Sequence, residues 1–402
     1  MHAWREVEIP THHELVTSVR IFDSASESLH ELLNDGVGTM YVCGITPYDA
    51  THMGHAATYV AFDTLNRLWR ASGATVKYAQ NVTDIDDPLL ERANALGRNW
   101  EDIALEQTQL FRQDMEALRV IPPSHYIGAV ESIPLVVEQI QNLTEFGCVY
   151  EVDGDLYYDT SKTDMVGSIA HLSQLDMLDL FASRGGDPNR DGKRSRLDPL
   201  LWRHERPNDP SWPSELGAGR PGWHIECAAI AVEYLGPTID VQGGGSDLKF
   251  PHHEMSAAHA QSATGHHPFA KSFMHTGMVW LDGHKMSKSR GNLVFVSTLR
   301  NQGTDPMAIR LAILSHHYRT DWHWSDELLA SAQHRLQLWR SAFASTTHAS
   351  DVSDQIALAL SNDLDTPTAC AIIDQWATET MSASHHGRCN LPATIDALLG
   401  II

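Results

Sequence analysis

The stretch from Met40 to Asp63, MYVCGITPYDATHMGHAATYVAFD, constrains the fold of this chain more than any other. The apolar run Met40-Tyr41-Val42 reads as the end of a buried strand. Small and turn-forming residues follow, and then apolar side chains recur at helical spacing through Val60, Leu65, Leu68 and Trp69. A further strand pattern, Val76 to Gln80, begins after Gly73, so the unit reads as βαβ with a parallel sheet. Backbone N–H groups at such a helix start attract phosphate oxygens. The loop also carries a thiol at Cys43, a hydroxyl at Thr46 and imidazoles at His52 and His55, whose spacing sets both rings on one side of the helix start. The stretch is built to hold a nucleotide.

With 402 residues, 42% of them hydrophobic, the chain can bury a substantial core and has room for two or three domains. No apolar run reaches the length of a bilayer span, and the polar N-terminus lacks the character of a signal peptide. A soluble, cytoplasmic protein with no membrane partner is expected. Five cysteines, at 43, 148, 227, 370 and 389, are an odd and scattered set that favours reduced thiols or metal ligands over a disulfide framework. Acids outnumber bases 51 to 29, for a net charge of -22. Nucleic-acid affinity rests on clustered Lys and Arg, so none is expected here.

Ahead of the opening motif, Ser18 to Phe22 reads as strand and Glu27 to Leu33 as a short helix. Beyond it, NVTDIDDP at 81–88 ends a strand, and Asp87-Pro88 suits the cap and first turn of helices running to about Leu118. The acids there serve equally well as caps and surface charge. From 121 to 221 the composition shifts to Pro122-Pro123, a hairpin signal at Asp153-Gly154 and a Gly/Pro/Arg-rich run, as in an insertion between two halves of a sheet domain. Composition alone makes Ser183 to Pro188 a solvated loop. The parallel sheet is expected to resume near Gly222 to Cys227 and at Ile239-Asp240-Val241, closing the catalytic part at about 295. Gly243-Gly244-Gly245 allows close approach of a ligand, with Asp247 placed to accept ribose hydroxyls, although a glycine triplet also makes a plain turn. From Asp305 the pattern is helical to the end, and beyond Arg340 Arg388 is the sole Lys or Arg.

Four separated stretches resemble the class I aminoacyl-tRNA synthetases, and among them the cysteinyl branch. His52-Met53-Gly54-His55 resembles the HIGH signature of that class and Lys285-Met286-Ser287-Lys288-Ser289 matches its KMSKS loop. YVCGIT, NVTDIDD and the run from GWHIEC through GGGSDL to FPHHE look like the cysteinyl-specific segments, and the resemblance covers roughly residues 15–330. Two features depart from that branch. The tail after 296 is short and acidic where cysteinyl-tRNA synthetases carry an anticodon-binding region, and Arg184-Gly185-Gly186-Asp187-Pro188 is similar instead to the RGGDP segment of the cysteine ligases of mycothiol biosynthesis. CGITPYDATHMGHA, with Pro47 and Ala50-Thr51, fits the same ligases.

The resemblance implies a Rossmann-like α/β domain in two halves (1–120 and 222–295), an inserted connective region (121–221) and a helical C-terminal domain (296–402). It implies one zinc ion on Cys43, Cys227 and His252, with Ser256 where cysteinyl synthetases place a glutamate, and with His253 and Glu254 as neighbours that a ligand could be confused with. Spacing alone reads those residues as buried cysteines and a helix-capping histidine, because no short metal motif is present. The resemblance further implies that ATP, with Mg2+, activates L-cysteine as cysteinyl-AMP for transfer to the amine of glucosaminyl-inositol. His52, His55, Lys285 and Lys288 would act on the phosphates. Gly44, Ile45, Thr46, Thr58, Asn81, Val82, Thr83, Trp223, Gly245, Ser246, Asp247 and Val279 would hold the adenylate, and Arg184 and Asp187 the acceptor. A monomer is expected. A cysteinyl-tRNA synthetase without its anticodon-binding domain, and a non-catalytic sensor of cysteine or zinc, are the competing readings; intact phosphate motifs weigh against the sensor.

Overall fold

The computed structural model describes residues 1–10, 16, 18–32, 36–49, 51–286, 291–345, 350–382 and 391–401. Strands β1 (Val19–Asp23) and β2 (Ser28–Leu32) pair as an antiparallel hairpin. The helix expected from Glu27 is therefore a strand as far as Leu32. Glu27 turns the chain with a φ of 52°, and β1 offers a pairing edge that outweighs the weak helical pattern.

The βαβ unit consists of β3 (Val37–Ile45), α1 (Met53–Ala71) and β4 (Thr75–Val82), with the two strands parallel. Helices α2 (Asp87–Leu96) and α3 (Trp100–Ala117) follow. The cap of α2 is Asp86, one residue ahead of the expected Asp87, because the Asp86 carboxylate accepts from the Asp87 N–H. Strand β5 (His125–Gly128) then pairs with β4, and α4 (Ile133–Glu145) comes after it. The expected start of the insertion at 121 thus precedes a strand of the central sheet.

Strands β6 (Val149–Val152), β7 (Asp155–Tyr158), β8 (Leu200–His204) and β9 (Gly219–Pro221) form a separate antiparallel sheet, with α5 (Gln174–Ser183) between β7 and β8. Its first hairpin turns at Asp153 and Gly154, both at positive φ, as the Asp-Gly pair requires. The run from Gly222 to Cys227, expected as strand, opens α6 (Trp223–Leu235) instead. Eight of its residues from His224 to Ala231 are buried in succession, so no face is left polar to reveal the helical period. After it come β10 (Ile239–Gly245), α7 (Glu254–Thr264) and β11 (Ala270–Thr276).

The central sheet has the order β11-β10-β3-β4-β5, all parallel. Strand order reverses between β3 and β10, which opens a crevice at their carboxyl ends. A small sheet of β12 (Val279–Leu281), β13 (His284–Lys285) and β14 (Trp322–His323) borders it. The remainder is helical: α8 (Val296–Asn301), α9 (Pro306–Leu314), α10 (Asp326–Ser345), α11 (Ser350–Ser361), α12 (Thr366–Ser382) and α13 (Leu391–Leu399). None of the described helices is long and apolar enough to cross a membrane.

A buried ion cluster ties these helices to the sheet. On α1, Arg67 Nε donates to Asp63 Oδ2 at 2.7 Å, and Arg310 of α9 reaches the same carboxylate. The spare guanidinium donors go to backbone carbonyls: Arg310 to Leu399 at 2.6 Å and Leu118 at 2.7 Å, and Arg67 to Asp396 at 2.8 Å and Arg119 at 2.7 Å. Carbonyls at helix ends lack intrahelical donors, so the two cations complete α3 and α13. Asp63→Asn leaves two buried cations without a counter-charge, and a loss of about 3–5 kcal/mol is expected in urea unfolding. Burial alone would raise the Asp63 carboxyl, but Arg67 and Arg310 reverse this and hold it below the ordinary value. Its contribution is complete above the unfolded-state pKa and disappears as pH falls through the folded one. The acid limb of the stability profile should therefore be shallower in the Asn variant.

Candidate active site

Beyond the adjoining ends of β3 and β10 lies a cavity of about 1030 Å³. Cys43, Gly44, Ile45 and Thr46 line one wall, while Gly245, Asp247, Met278 and Val279 line another. Gly44 leaves no room for a side chain, since a Cβ would sit 1.6 Å from the Asn81 carbonyl oxygen. Its N–H donates to Asn81 Oδ1 at 2.7 Å, and Asn81 Nδ2 donates to Thr83 Oγ1 at 3.0 Å. Asn81, Val82 and Thr83, expected against the adenylate, are buried and lie outside the cavity lining. The Asn81 carbonyl oxygen holds the end of β3 and its amide nitrogen the residue after β4, so both ends of the side chain are bonded within the wall. Ser246 begins a short turn (Ser246–Leu248) and is likewise not among the lining residues.

His52 caps α1, its Nδ1 accepting from the Gly54 N–H at 3.1 Å. The His52 and His55 rings stack with centroids 3.8 Å apart, and a Cβ on Gly54 would lie 2.8 Å from the His52 ring. Thr58, one turn on, shares a 2.8 Å hydrogen bond with Thr276 at the end of β11. The stem after the basic loop is fastened to this same helix start: Met53 N–H donates to the Val294 carbonyl and Val296 N–H to that of Thr51, each at 2.9 Å. Lys285 is on β13, and Met286 and Leu293 line the cavity on either side of the loop. Lys288 lies outside the described residues.

Cys43 of β3, Cys227 of α6 and His252, just ahead of α7, come together although 209 positions separate the outer two. Their ligand atoms lie within 4.8 Å of one another and all three residues are buried. His252 Nε2 is 3.3 Å from Cys227 Sγ, and its Nδ1 is 2.9 Å from Nδ1 of His224. Burial, then the neighbouring His252 and His259, hold His224 well below the ordinary histidine range, so its neutral ring can orient His252. Burial raises both thiols. At Cys227 the Cys43 S–H and His252 reverse the sign and carry it well below the usual value, whereas Cys43 stays well above it. Such a pair readily yields a thiolate donor. Two sulfurs and one imidazole suit zinc, and three donors leave a position open.

The neighbouring polar groups are committed elsewhere. The Glu254 carboxylate accepts from the backbone N–H groups of Gly167, Ile169 and Ala170 at 2.6, 3.0 and 2.9 Å. Ser256 Oγ donates to the His252 carbonyl at 2.7 Å. His253 Nε2 lies 3.2 Å from Cys43 Sγ, and its Nδ1 is 2.7 Å from His275 Nε2, so it buttresses the thiol.

The inserted sheet supplies the opposite wall. Arg184 donates to the Asp247 carbonyl, which fastens the Ser183–Pro188 loop to the nucleotide side; Ser183 and Gly185 are exposed, as composition suggested, while Pro188 is buried. Gly186 packs so tightly on the Phe181 ring that a Cβ would come within 2.4 Å of it. Asp187 accepts from Tyr157 Oη and, at 2.8 Å, from Lys193 Nζ. Across the mouth, Asp87 takes Arg203 at 3.1 Å and also Arg220, and Arg220 reaches Asp209 at 3.2 Å. Trp223 and Glu226 line the space between this wall and the Cys/His trio.

A family model described as the tRNA synthetases class I (C) catalytic domain matches residues 29–334. Relatives named L-cysteine:1D-myo-inositol 2-amino-2-deoxy-alpha-D-glucopyranoside ligase are 58% identical over 405 residues in Kribbella flavida and 52% over 412 in Thermomonospora curvata, each alignment covering 100% of both chains. The chain belongs to this ligase branch of the class I cysteine-type synthetase family. Solved structures with the same fold include a Mycobacterium tuberculosis methionyl-tRNA synthetase in complex with methionyl-adenylate, at 16% identity and TM-score 0.61, covering 86% of this chain and 82% of that one. An Agrobacterium radiobacter K84 LeuRS in a ternary complex aligns at 11% identity and TM-score 0.63, covering 91% and 82%.

Within this ligase-family cleft, sequence reasoning placed Arg184 and Asp187 of the insertion and missed the rest of its contribution: Asp155, Tyr157, Arg190, Arg203, Arg206 and Arg220 also line it. The available signal was the density of Arg and Asp between 153 and 220. Gly44→Ala tests how far the site depends on backbone contact. The overlap with Asn81 should cost about 1–3 kcal/mol or more and displace Cys43. Co2+ titrated into the variant should give a weaker thiolate charge-transfer band than in the wild type.

Proposed function

We propose that this chain activates L-cysteine with ATP as cysteinyl-AMP and transfers it to the amine of 1D-myo-inositol 2-amino-2-deoxy-α-D-glucopyranoside, within mycothiol biosynthesis. One observation carries the reading: the strand that contributes Cys43 to a buried Cys/His trio leads directly into the helix start bearing His52 and His55. Sulfur recognition and phosphate chemistry thereby share one cavity. Cys43, Cys227 and His252 would hold zinc, which supplies a preference for a thiolate over a hydroxyl that a hydrophobic pocket cannot reach.

In the first step a carboxylate oxygen of cysteine bonds to the α-phosphorus of ATP, bound with Mg2+, as the bond to pyrophosphate breaks. Negative charge grows on the leaving oxygens, and catalysis consists largely of positioned donors. His52 and His55 would act on the phosphates from the helix start, and the KMSKS resemblance gives Lys285 and Lys288 the same task. Asp247 accepts from the ribose, the Met278-Val279 backbone meets the adenine edge, and Gly44, Ile45, Thr46, Thr58, Trp223 and Gly245 enclose the cysteinyl group and its phosphate. In the second step the acceptor nitrogen bonds to the cysteinyl carbonyl carbon, the bond to AMP breaks and the nitrogen releases a proton to solvent. Arg184 and Asp187 set the loop that borders the acceptor.

Purified zinc-loaded protein should catalyse cysteine-dependent ATP–pyrophosphate exchange. Added glucosaminyl-inositol should give a cysteinyl amide by mass spectrometry and stoichiometric AMP, and added tRNA should give neither. Charging of tRNA instead would sink the assignment. Lys285→Ala should slow exchange by about 10²–10³-fold with little change in the KM for cysteine. Cys227→Ser should lower the bound zinc measured by elemental analysis and shrink the preference for cysteine over serine.

A further inference from the structure

Glu226 has no task in the scheme above, and its environment is unusual. It sits on the first turn of α6 between Trp223 and Cys227, is 1% exposed, and lines the cavity. Its Oε2 is buried without a hydrogen-bond partner among the described residues. An isolated buried carboxylate is costly, and proteins keep one where a ligand completes it.

The surroundings specify what that ligand carries. Asp86, the cap of α2, also lines the cavity and stands close enough for its charge to act on Glu226; one of its oxygens is held by the Asp87 N–H at 2.8 Å. The cation whose charge acts on Glu226 is Arg220, and its Nη2 and Nε are bonded to Asp87 and Asp209. Two carboxylates therefore share one patch of wall with their nearby guanidinium turned to other partners. A carboxylate or phosphate of a substrate would be repelled there. A primary ammonium supplies both the missing positive charge and up to three N–H donors.

We infer that Glu226, assisted by Asp86, is the subsite of this cleft that binds a substrate's primary amine. The inference rests on the proposed function, under which two substrates carry such a group: the α-amine of cysteine and the 2-amino group of the sugar acceptor. Either amine engages the same chemistry, and the two are separable by half-reaction.

The test compares wild type, Glu226→Gln and Glu226→Asp, all zinc-loaded. If the site takes the cysteine amine, Glu226→Gln raises the KM for cysteine in ATP–pyrophosphate exchange by about tenfold or more, while inhibition by 3-mercaptopropionate, which lacks the amine, is unchanged. If it takes the acceptor amine, the KM for glucosaminyl-inositol rises by a similar factor, while inhibition by the 2-hydroxy analogue of the acceptor stays the same. In both cases Glu226→Asp, which keeps the charge, recovers part of the loss.

Three results would overturn the inference. These are constants within twofold of wild type for both substrates, equal weakening of amine-bearing and amine-free ligands, and a fall in the zinc-to-protein ratio that accounts for the whole effect. Should Glu226→Gln fail to fold, wild type alone decides: amine-free analogues of both substrates that bind as tightly as their parents refute the subsite. A wild type with no cysteine-dependent exchange refutes the functional reading itself, a result distinct from an active wild type with an indifferent Glu226 variant.

Discussion

At the end of β3 the backbone of Gly44 runs so close to the carbonyl of Asn81 that even one methyl group is excluded, and the Asn81 amide clasps the Gly44 N–H. This contact determines where Cys43 and Ile45 can be, because they flank the pinned residue on a strand with little freedom. A similar limit holds on the neighbouring strand, where a Cβ on Gly243 would meet the Phe62 ring at 2.1 Å. Helix α1 therefore lies tight under β10. The crevice at the sheet's switch point keeps its shape because each of its two floor strands meets its neighbours at a glycine with no room to spare.

Around that floor the protein has buried an unusual number of imidazoles. His224, His253 and His275 are all held well below the ordinary histidine range, burial being the largest cause in each case. A neutral imidazole donates through one nitrogen and accepts through the other, so these rings can relay orientation without adding charge. The line from Cys43 through His253 and His275 to Ser24 Oγ is one such relay, and His252 with His224 is another. Sulfur and nitrogen donors are thus aimed by a rigid and uncharged frame.

Much of this was legible in the sequence, for reasons that differ by residue. The strand-loop-helix of β3 and α1 announces itself through a short apolar run, turn residues and a helical period, and the metal trio came from resemblance alone, since no spacing joins Cys43 to Cys227 and His252. Helix α6 was misread because burial on every side erases the pattern that separates helix from strand. The strand β2 was misread because pairing with β1 is a tertiary fact. Asn81 bonds to the Gly44 N–H and to Thr83, contacts across two strands that nothing local in the sequence records. The loop at Ser183 to Pro188 has the composition of a solvent-exposed turn, and nothing local records that Arg184 docks on the Asp247 carbonyl.

The cluster of Asp63, Arg67 and Arg310 bears on how the molecule comes apart. Its cations arise from α1 and α9, while the carbonyls they satisfy belong to the ends of α3 and α13 and the segment after α3. Separating any one of these segments strands charges and acceptors belonging to the others. The helical region beyond the sheet and the nucleotide-binding core thus share one set of buried charges, which couples the opening of either to the other.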